Sequence, residues 1–548
     1  VIGPYCLICF EKGWIMHVLL VNPHYPISET PSPPLGLAYL AACLEAAGVE
    51  VRILDFVVFP YSRQAVETVL KKFSPRVVGV TSVTMTFDNA ARVIRDVKAI
   101  DAEVLTVMGG PHVTFCAEQT MRCLPELDAV VPGEGESAFL QLVDAVKTGG
   151  KWHAVPGVVY QDGRHIARAP GAVAPVNLDA LPSPARHLLA LGRYRALGMP
   201  VSMTTSRGCP YKCIFCVGRK MGGPVVRYRN AGKVVDEMAQ LSALGFHQIN
   251  IADDLFTADR RHCDTVCGEI LGRRLRVDWT AFARVDTVTA DLLSKMKAAG
   301  CHTISFGVES ANENILKTIK KGITPAQVVS AVKACAAAGI TPHASFILGL
   351  PGETPETLEE TIRFGDRLKE MGVHHGFHIL TPFPGTEVRE RCGTYGIRII
   401  TDDWTRYHAN RAVVETASVS RQMLDDVVVT WENRFNEWLG DIQKRTGTGE
   451  ATPEEAWQLK RLEHTVLIYD LMMGRVLERK GRGPEGHPDS PAVDPIESLA
   501  NRLEDAVTVS RQQLLETLSF AEKTGNLTRR NKNGEIHWEW VDFLFAQS

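Results

Sequence analysis

Short apolar runs that stop at Pro, Gly or Asp alternate with helical stretches through the first third of the chain, and few folds accommodate that alternation. His17-Val-Leu-Leu-Val-Asn22 ends at Pro23 and reads as a buried strand. A helix follows from about Leu35 to Ala47, with Leu37, Leu40, Ala41 and Leu44 at helical spacing and Gly48 at its stop. Val49–Asp55 gives a second strand, and more appear at Val77–Val80, Val104–Met108 and Ala129–Val131. Strand, helix, strand at this spacing implies right-handed crossovers and a parallel sheet covered on both faces. Ligands of such sheets bind beyond the carboxyl ends of the strands. Small and polar residues cluster there: Asn22-Pro23, Thr81-Ser82, Gly109-Gly110-Pro111-His112 and Gly133-Glu134-Gly135-Glu136. Glycines permit close backbone approach to a large ligand, and they equally make tight turns. From pattern alone both readings stand.

The chain has 548 residues, enough for two or three domains. With 60 Lys+Arg against 63 Asp+Glu the net charge is −3, which removes the main reason to expect a nucleic-acid partner. No run of 18 apolar residues exists, so no membrane span is expected. Thirteen irregularly spaced Cys do not make a secreted disulfide scaffold and fit a reducing cytoplasm. Residues 1–15 lack signal-peptide features and are expected to be an extension outside the fold; the CxxC pair Cys6 and Cys9 lies there and is not read as a metal or redox site.

Residues 206–216, S-R-G-C-P-Y-K-C-I-F-C, place Cys209, Cys213 and Cys216 in a CxxxCxxC array. Three thiolates on so short a loop wrap one iron–sulfur cluster, and three ligands to a four-iron cubane leave one iron open. Structural zinc wants a fourth ligand, yet the nearest later Cys is Cys263 and no HxxxH pair follows.

This loop, with Phe215 before the last Cys, resembles the defining motif of the radical S-adenosylmethionine (SAM) superfamily. The match continues in order through V-R-Y-R-N at 226–230, I-A-D-D-L-F at 251–256, F-A-R-V-D at 282–286, F-G-V-E-S at 306–310, F-I-L-G-L-P-G-E at 346–353 and T-P-F-P-G-T at 381–386. P-P-L-G-L-A-Y-L at 33–40 and M-G-G-P-H-V-T at 108–114 resemble the cobalamin-binding domain of the branch that includes the anaerobic magnesium-protoporphyrin monomethyl ester cyclase and radical SAM methyltransferases. The resemblance spans roughly residues 16–420.

It implies that Cys209, Cys213 and Cys216 hold a 4Fe-4S cluster whose open iron is chelated by SAM, with Phe215 alongside. Asp253 and Asp254 stand where relatives hold the SAM amino group. Glu309 and Ser310, Arg284, and the backbone at Ile347–Gly349 map to the ribose, carboxylate and adenine contacts. An acid for an ammonium and an Arg for a carboxylate match in charge and geometry; Glu309 or Arg284 would serve equally as an interior salt bridge. Cobalamin is expected against Pro34, Leu35, Thr81, Ser82, Gly109, Gly110, His112, Gly133 and Glu134. Residues 16–150 contain no D-x-H-x-x-G motif, so cobalamin is expected without a protein His on cobalt, and His112 to be a corrin contact or a surface loop residue.

The implied architecture is α/β: a Rossmann-like cobalamin-binding domain over 16–150, a linker over 151–200, a partial (β/α)6 TIM-type radical SAM barrel over 201–400, and a mainly helical region over 401–548. In that last region Leu424, Val427, Val428, Trp431, Phe435, Trp438 and Leu439 repeat at helical spacing, Val466–Arg475 is helical, a Gly/Pro-rich loop runs over 480–494, and Trp538, Trp540, Phe543 and Phe545 form an aromatic cluster read as core. Tyr407 and His408 follow the barrel and are read as structural rather than proton-moving. The resemblance implies methyl transfer to an unactivated carbon or phosphorus centre through a 5′-deoxyadenosyl radical and methylcobalamin, fed by an external one-electron reductant of flavodoxin or ferredoxin type and acting on a small molecule. Radical cyclisation or rearrangement of the cyclase type is the alternative, and a non-catalytic cobalamin sensor a third. Nothing in the pattern sets the oligomeric state.

Overall fold

The computed structural model describes residues 16–26, 30–163, 165–171, 173–246, 248–484, 494–532 and 535–544. The 1–15 extension with Cys6 and Cys9, most of the 480–494 loop and Phe545 lie outside them.

The first domain is a parallel sheet of β1 (His17–Asn22), β2 (Glu50–Asp55), β3 (Val77–Thr81), β4 (Leu105–Gly109) and β5 (Ala129–Val131) in the order β2-β1-β3-β4-β5. Helices α1 (Leu35–Ala46), α2 (Arg63–Phe73), α3 (Phe87–Ile100), α4 (Pro111–Cys123) and α5 (Gly135–Thr148) join these strands. This is the flavodoxin-like form of a doubly wound sheet, covered on both faces. Leu19, Val21, Val78 and Val80 face one apolar core, while Val18, Leu20, Val77 and Val107 face the other. That two-sided burial is why the strands are continuous apolar runs.

The stretch expected to be a plain linker carries structure of its own. β6 (Val159–Asp162) adds antiparallel to β5 and β7 (His165–Arg168) antiparallel to β6, so the sheet has seven strands. Farther on, Leu191–Ala196 forms a short helix that docks against the C-terminal region. A Cβ on Gly192 would fall 1.7 Å from the Val541 carbonyl oxygen, so the close crossing needs glycine there. Tyr194 donates its hydroxyl to the buried Asp55 carboxylate at 2.7 Å, pinning the same helix to the end of β2.

The second domain is a six-stranded parallel sheet: β8 (Val201–Met203), then, after the two-residue pair β9 (Ser206–Arg207) and β10 (Arg227–Tyr228), β11 (Ile249–Ile251), β12 (Trp279–Ala283), β13 (Cys301–Glu309), β14 (Thr341–Leu348) and β15 (His374–Ile379). Strand order follows chain order from β8 to β15, the curved half-barrel arrangement expected. Val201, Met203, Ile249, Ile251, Ala281, Ile304, Phe306, Ala344 and Phe346 bury their side chains in the surrounding apolar shell, leaving alternate residues on the inner face. Inside that shell the Glu237 carboxylate of helix Ala231–Ala243 binds Arg186 at 2.5 Å and Arg229 at 2.7 Å, and Arg186 also donates to the Ser202 carbonyl.

Beyond the barrel come long helices at Arg421–Thr448 and Pro453–Met473 and a three-stranded antiparallel sheet of Arg482–Pro484, Leu527–Lys532 and Glu535–Trp540. Trp538 and Trp540 are buried in that core, with Leu467, Leu471 and Tyr194. In the first long helix Leu424 is buried and the Trp431 ring lies edge-on to His375 and Phe377, whereas Phe435 and Trp438 are exposed. No helix among the described residues is long and apolar enough to cross a membrane.

Replacing Glu237 with Leu should strand two buried guanidinium groups without a counter-charge. A loss of about 3–5 kcal/mol is expected, read as a lower midpoint in chemical denaturation.

Candidate active site

The cysteine loop leaves β9 at Arg207 and re-enters regular structure in the short helix Gly218–Gly222. Gly208 has φ +106°, and a Cβ there would lie 2.7 Å from the Val225 carbonyl oxygen, so only glycine turns the chain at this point. Cys209 donates its N–H to the Gly223 carbonyl at 3.1 Å, and Ile214 donates its own to Ile319 at 3.2 Å. The Cys216 sulfur accepts the Gly218 N–H at 3.3 Å, an arrangement that favours a thiolate. In the chain by itself, burial pushes all three thiols up. Among the described residues no three His, Cys, Asp or Glu side chains converge on a single metal ion. Three sulfur donors on one short loop suit an iron–sulfur cluster.

Two adjacent acids play different roles. Asp253 is buried and accepts from the Thr205 N–H at 2.6 Å, the Thr205 hydroxyl at 2.5 Å and the Ser206 hydroxyl at 2.7 Å. Burial raises its carboxyl against those donors. Its oxygens brace the turn from β8 into β9 and stay out of the cavity between the two sheets, contrary to the expected ammonium contact. Asp254 does line it, accepting the Gly208 N–H at 3.1 Å. A Cβ on Gly218 would come within 2.7 Å of the Asp254 carboxylate, so glycine spacing keeps this acid against the cysteine loop.

The remaining expected SAM contacts gather at the barrel mouth, most of them with partners of their own. Arg284 stacks 3.7 Å over the Tyr211 ring, donates to both Asp286 oxygens at 2.9 Å, and donates to the Lys321 carbonyl. Glu309 ends β13 at φ +70°, just past a register shift, with Lys321 Nζ 2.6 Å from its carboxylate. A non-glycine residue held at positive φ stores strain of about 1–3 kcal/mol. Phe215 lies beneath Lys321, whose Nζ is 5.9 Å from the ring centre. Ser310 is wholly buried, its hydroxyl 3.2 Å from that of Thr361, so it shapes the wall from behind. Ile347 is half-buried, and Gly349 donates its N–H to Glu353 at 2.6 Å.

On the other sheet, a cavity of about 370 Å³ opens over the carboxyl ends of β1, β3, β4 and β5. Thr81, Gly109, Gly110, Gly133 and Glu134 line it, as do Gly36, Leu37, Leu40 and Phe139. Arg207, Met221, Gly222 and Asp254 close it from the barrel side, so it reaches from the first sheet to the cysteine loop. A Cβ on Gly79 would meet Leu20 at 3.0 Å and Phe139 at 3.1 Å, and one on Gly135 would meet Leu40 at 3.2 Å. The cleft thus depends on residues without side chains. Pro34 and Leu35 open α1 just before the lining residue Gly36. Ser82 is buried behind Gly110, accepting the His112 N–H at its carbonyl.

His112 stands elsewhere than expected. Its side chain is 2% exposed, faces Phe87 and Trp404, and lies 3.3 Å from the Thr84 hydroxyl. Burial, then the nearby Arg389 charge, lowers its pKa to about 4, so it is a neutral core residue and neither a corrin contact nor a surface loop His. Tyr407 is likewise core: its hydroxyl donates to the Thr401 carbonyl at 2.8 Å and accepts from Arg389. His408 is held against Asn410.

Sequence reasoning missed the network joining the two sheets. Arg207 binds Glu134 at 3.2 Å and Glu136 at 2.7 Å, and Arg227 binds Glu134 at 2.6 Å. Burial pushes the Glu134 carboxyl up, but Arg227, the Val176 N–H and Arg207 outweigh it and hold the group below its usual range. Two acids in a glycine loop and an Arg just before the cysteines were the available signal.

Two family models meet on this chain: the B12 binding domain over residues 28–143 and the Radical SAM superfamily over 203–365. An uncharacterized methyltransferase from Pyrococcus horikoshii is 37% identical over 72% of this chain and 86% of its own length. The chain belongs to the cobalamin-binding radical SAM enzymes. A magnesium-protoporphyrin IX monomethyl ester cyclase from Rubrivivax gelatinosus is 30% identical over 77% of each protein. The cobalamin-dependent SAM radical enzyme OxsB shares the fold, with a TM-score of 0.65 over 93% of this chain and 80% of that one at 19% identity. The cofactors of this radical SAM enzyme are cobalamin, SAM and a 4Fe-4S cluster, and the residues present fit them: three free thiols on a glycine-closed loop, and a cleft that side chains at Gly79 or Gly135 would fill.

Asp254→Ala should weaken SAM binding about tenfold with the cluster absorbance retained, whereas Asp253→Ala should cost about 3 kcal/mol of stability by orphaning buried donors. Calorimetry and denaturation separate the two. Burial raises the Glu353 carboxyl to about 7 from 4.5, against the N–H groups of Gly349 and Leu350. The native state then holds that proton more tightly than the unfolded chain, so the contribution is full below pH 4.5 and lost as pH rises through 7. Compared with Glu353→Gln, the wild type should lose about 3 kcal/mol between pH 4.5 and 8, read from paired denaturation curves.

Proposed function

We propose that this enzyme transfers a methyl group to an unactivated carbon or phosphorus centre of a small molecule. The observation that carries the reading is the cavity shared by both sheets, with Gly110 and Gly133 on one wall and Arg207, Met221 and Asp254 on the other. When bound, the three cofactors supply hydrogen-atom abstraction and a transferable methyl group. The chain's part is placement. Cys209, Cys213 and Cys216 present three sulfurs and leave one iron for SAM, while Asp254 and Arg284 offer opposite charges to its ammonium and carboxylate and Glu309 stands for its ribose. Leu37, Leu40, Phe139 and Met221 keep the shared cleft apolar. Single electrons come from an external reductant of flavodoxin or ferredoxin type. Three thiolates of this kind belong in a reducing cytoplasm.

Likeness to the cyclase supports a second reading, oxidative cyclisation on the same cofactors. Product mass separates the two: gain of one methylene with S-adenosylhomocysteine formed supports methylation, and an oxygenated or rearranged product without it supports cyclisation. Anaerobically reconstituted protein with SAM and a strong reductant should release 5′-deoxyadenosine. Serine at Cys209, Cys213 or Cys216 should bring that release to background; undiminished cleavage in those variants would overturn the assignment of the cluster.

A further inference from the structure

The inner face of the barrel carries chemically active side chains that the cluster loop and the shared cavity leave unused. Register places Phe282 of β12 opposite Ser305 of β13, Ser305 opposite His343 of β14, and His343 opposite His374 of β15. All four alternate with residues buried in the outer shell, so they form one row across the inside of four adjacent strands. Three strand spacings make the row roughly 14 Å long. Phe282 is 53% exposed, a large apolar ring left open inside a barrel.

One step toward the carboxyl ends, the next row reads Gly307, Ser345, Gly376. Two of its three residues have no side chain, so a gap stands above the first row. On the β13 side the gap is closed by the Glu309–Lys321 pair: a Cβ on Gly307 would fall 2.3 Å from the Glu309 carboxylate and 2.8 Å from Lys321 Nζ. Near Gly376 the atom within 4 Å of such a Cβ is His378 Nε2, at 4.0 Å. His378 shares the inner face with His374 and Gly376, opposite Ile347, and its ring borders the space over the glycine. Burial, followed by His374, His378 and His375, pushes the His343 imidazole down. His375 itself faces the other way, against Phe346 and Trp431.

Three imidazoles thus ring one end of an open slot, an exposed phenyl ring lies at the other, and serines stand between. The carboxylate bordering the slot, Glu309, is neutralised by Lys321 at 2.6 Å. No three of these donors converge on a metal ion among the described residues. Imidazole N–H groups are donors suited to an oxyanion.

We propose that this row seats the substrate: Phe282 takes an apolar group, and His343, His374 and His378 take a carboxylate or phosphoryl oxyanion, with the barrel mouth above. The assignment rests on the reading of a small-molecule methyltransferase and names the class of molecule it accepts. The SAM contacts Ile347 and Glu309 lie at the upper rim, Ile347 in register with His378, so a molecule in the slot points its free part toward the reacting centre.

The test uses the full-length, cluster-reconstituted protein and calorimetry with phenyl phosphate, phenylacetate, inorganic phosphate and benzyl alcohol. Phenyl phosphate or phenylacetate should bind saturably, inorganic phosphate more weakly, and benzyl alcohol not measurably. The tighter aromatic anion identifies phosphoryl or carboxylate chemistry. The His374→Gln, His378→Gln double variant should lose about tenfold in affinity for both aromatic anions. Phe282→Ala should weaken the aromatic anions while sparing inorganic phosphate. Circular dichroism and cluster absorbance check that each variant is folded. Anion binding untouched by the double variant, or no saturable binding by wild-type protein that still cleaves SAM, overturns this inference alone. Absence of SAM cleavage in wild-type protein overturns the functional reading instead.

Discussion

Arg207 and Arg227 meeting Glu134 and Glu136 set the distance between the two parallel sheets. Each sheet offers only half a site at its carboxyl edge. Glu134 comes from the glycine-rich loop after β5 and Glu136 from the first turn of α5; the arginines flank the cysteine loop, Arg207 two residues before Cys209. A buried ion network of this kind contributes little net stability, because desolvation offsets most of the attraction, but it tolerates few geometries. It therefore acts as a positioning device. The loop that binds the cluster and the loops expected to approach cobalamin are held against each other by charge.

Glycine does the complementary work. At Gly208 and Gly110 the backbone sits at positive φ and a Cβ would strike a carbonyl oxygen within 2.7 Å, so the turns into both half-sites are closed to other residues. Asp253 then locks the turn from beneath, through Thr205 and Ser206. Asp254, Arg284 and Glu309, the groups proposed to meet SAM, are oriented by neighbours of their own. Such prior ordering reduces what binding must pay in conformational freedom.

Legibility varied with how local the cause was. The five parallel strands, the helices between them and the cysteine loop were readable because period, turn residues and spacing act within about ten residues. β6 and β7 were not, since short strands at a sheet edge carry weak patterns and owe their existence to β5 beside them. His112 follows a Gly-Gly-Pro turn that points a loop toward the ligand side, yet Trp404, almost three hundred residues later, covers it. Asp253 and Asp254 are adjacent and chemically identical; alternation at the end of β11 sends one into the core and the other into the cavity. The inner row Phe282, Ser305, His343, His374 is spread over four strands, and only strand register assembles it.

The sequence by itself determined the doubly wound first domain and the trio of cysteines, because each follows from local periodicity or from ligand spacing on one short loop; the barrel and the cofactor class were legible only through the resemblance of a series of ordered motifs to a known family. Tertiary structure decided which acid lines the cavity, which histidine is core, how the half-sites face one another and what the barrel interior presents. Those outcomes depend on burial and on pairing between residues far apart in the chain, and neither is encoded in any window that a local pattern spans.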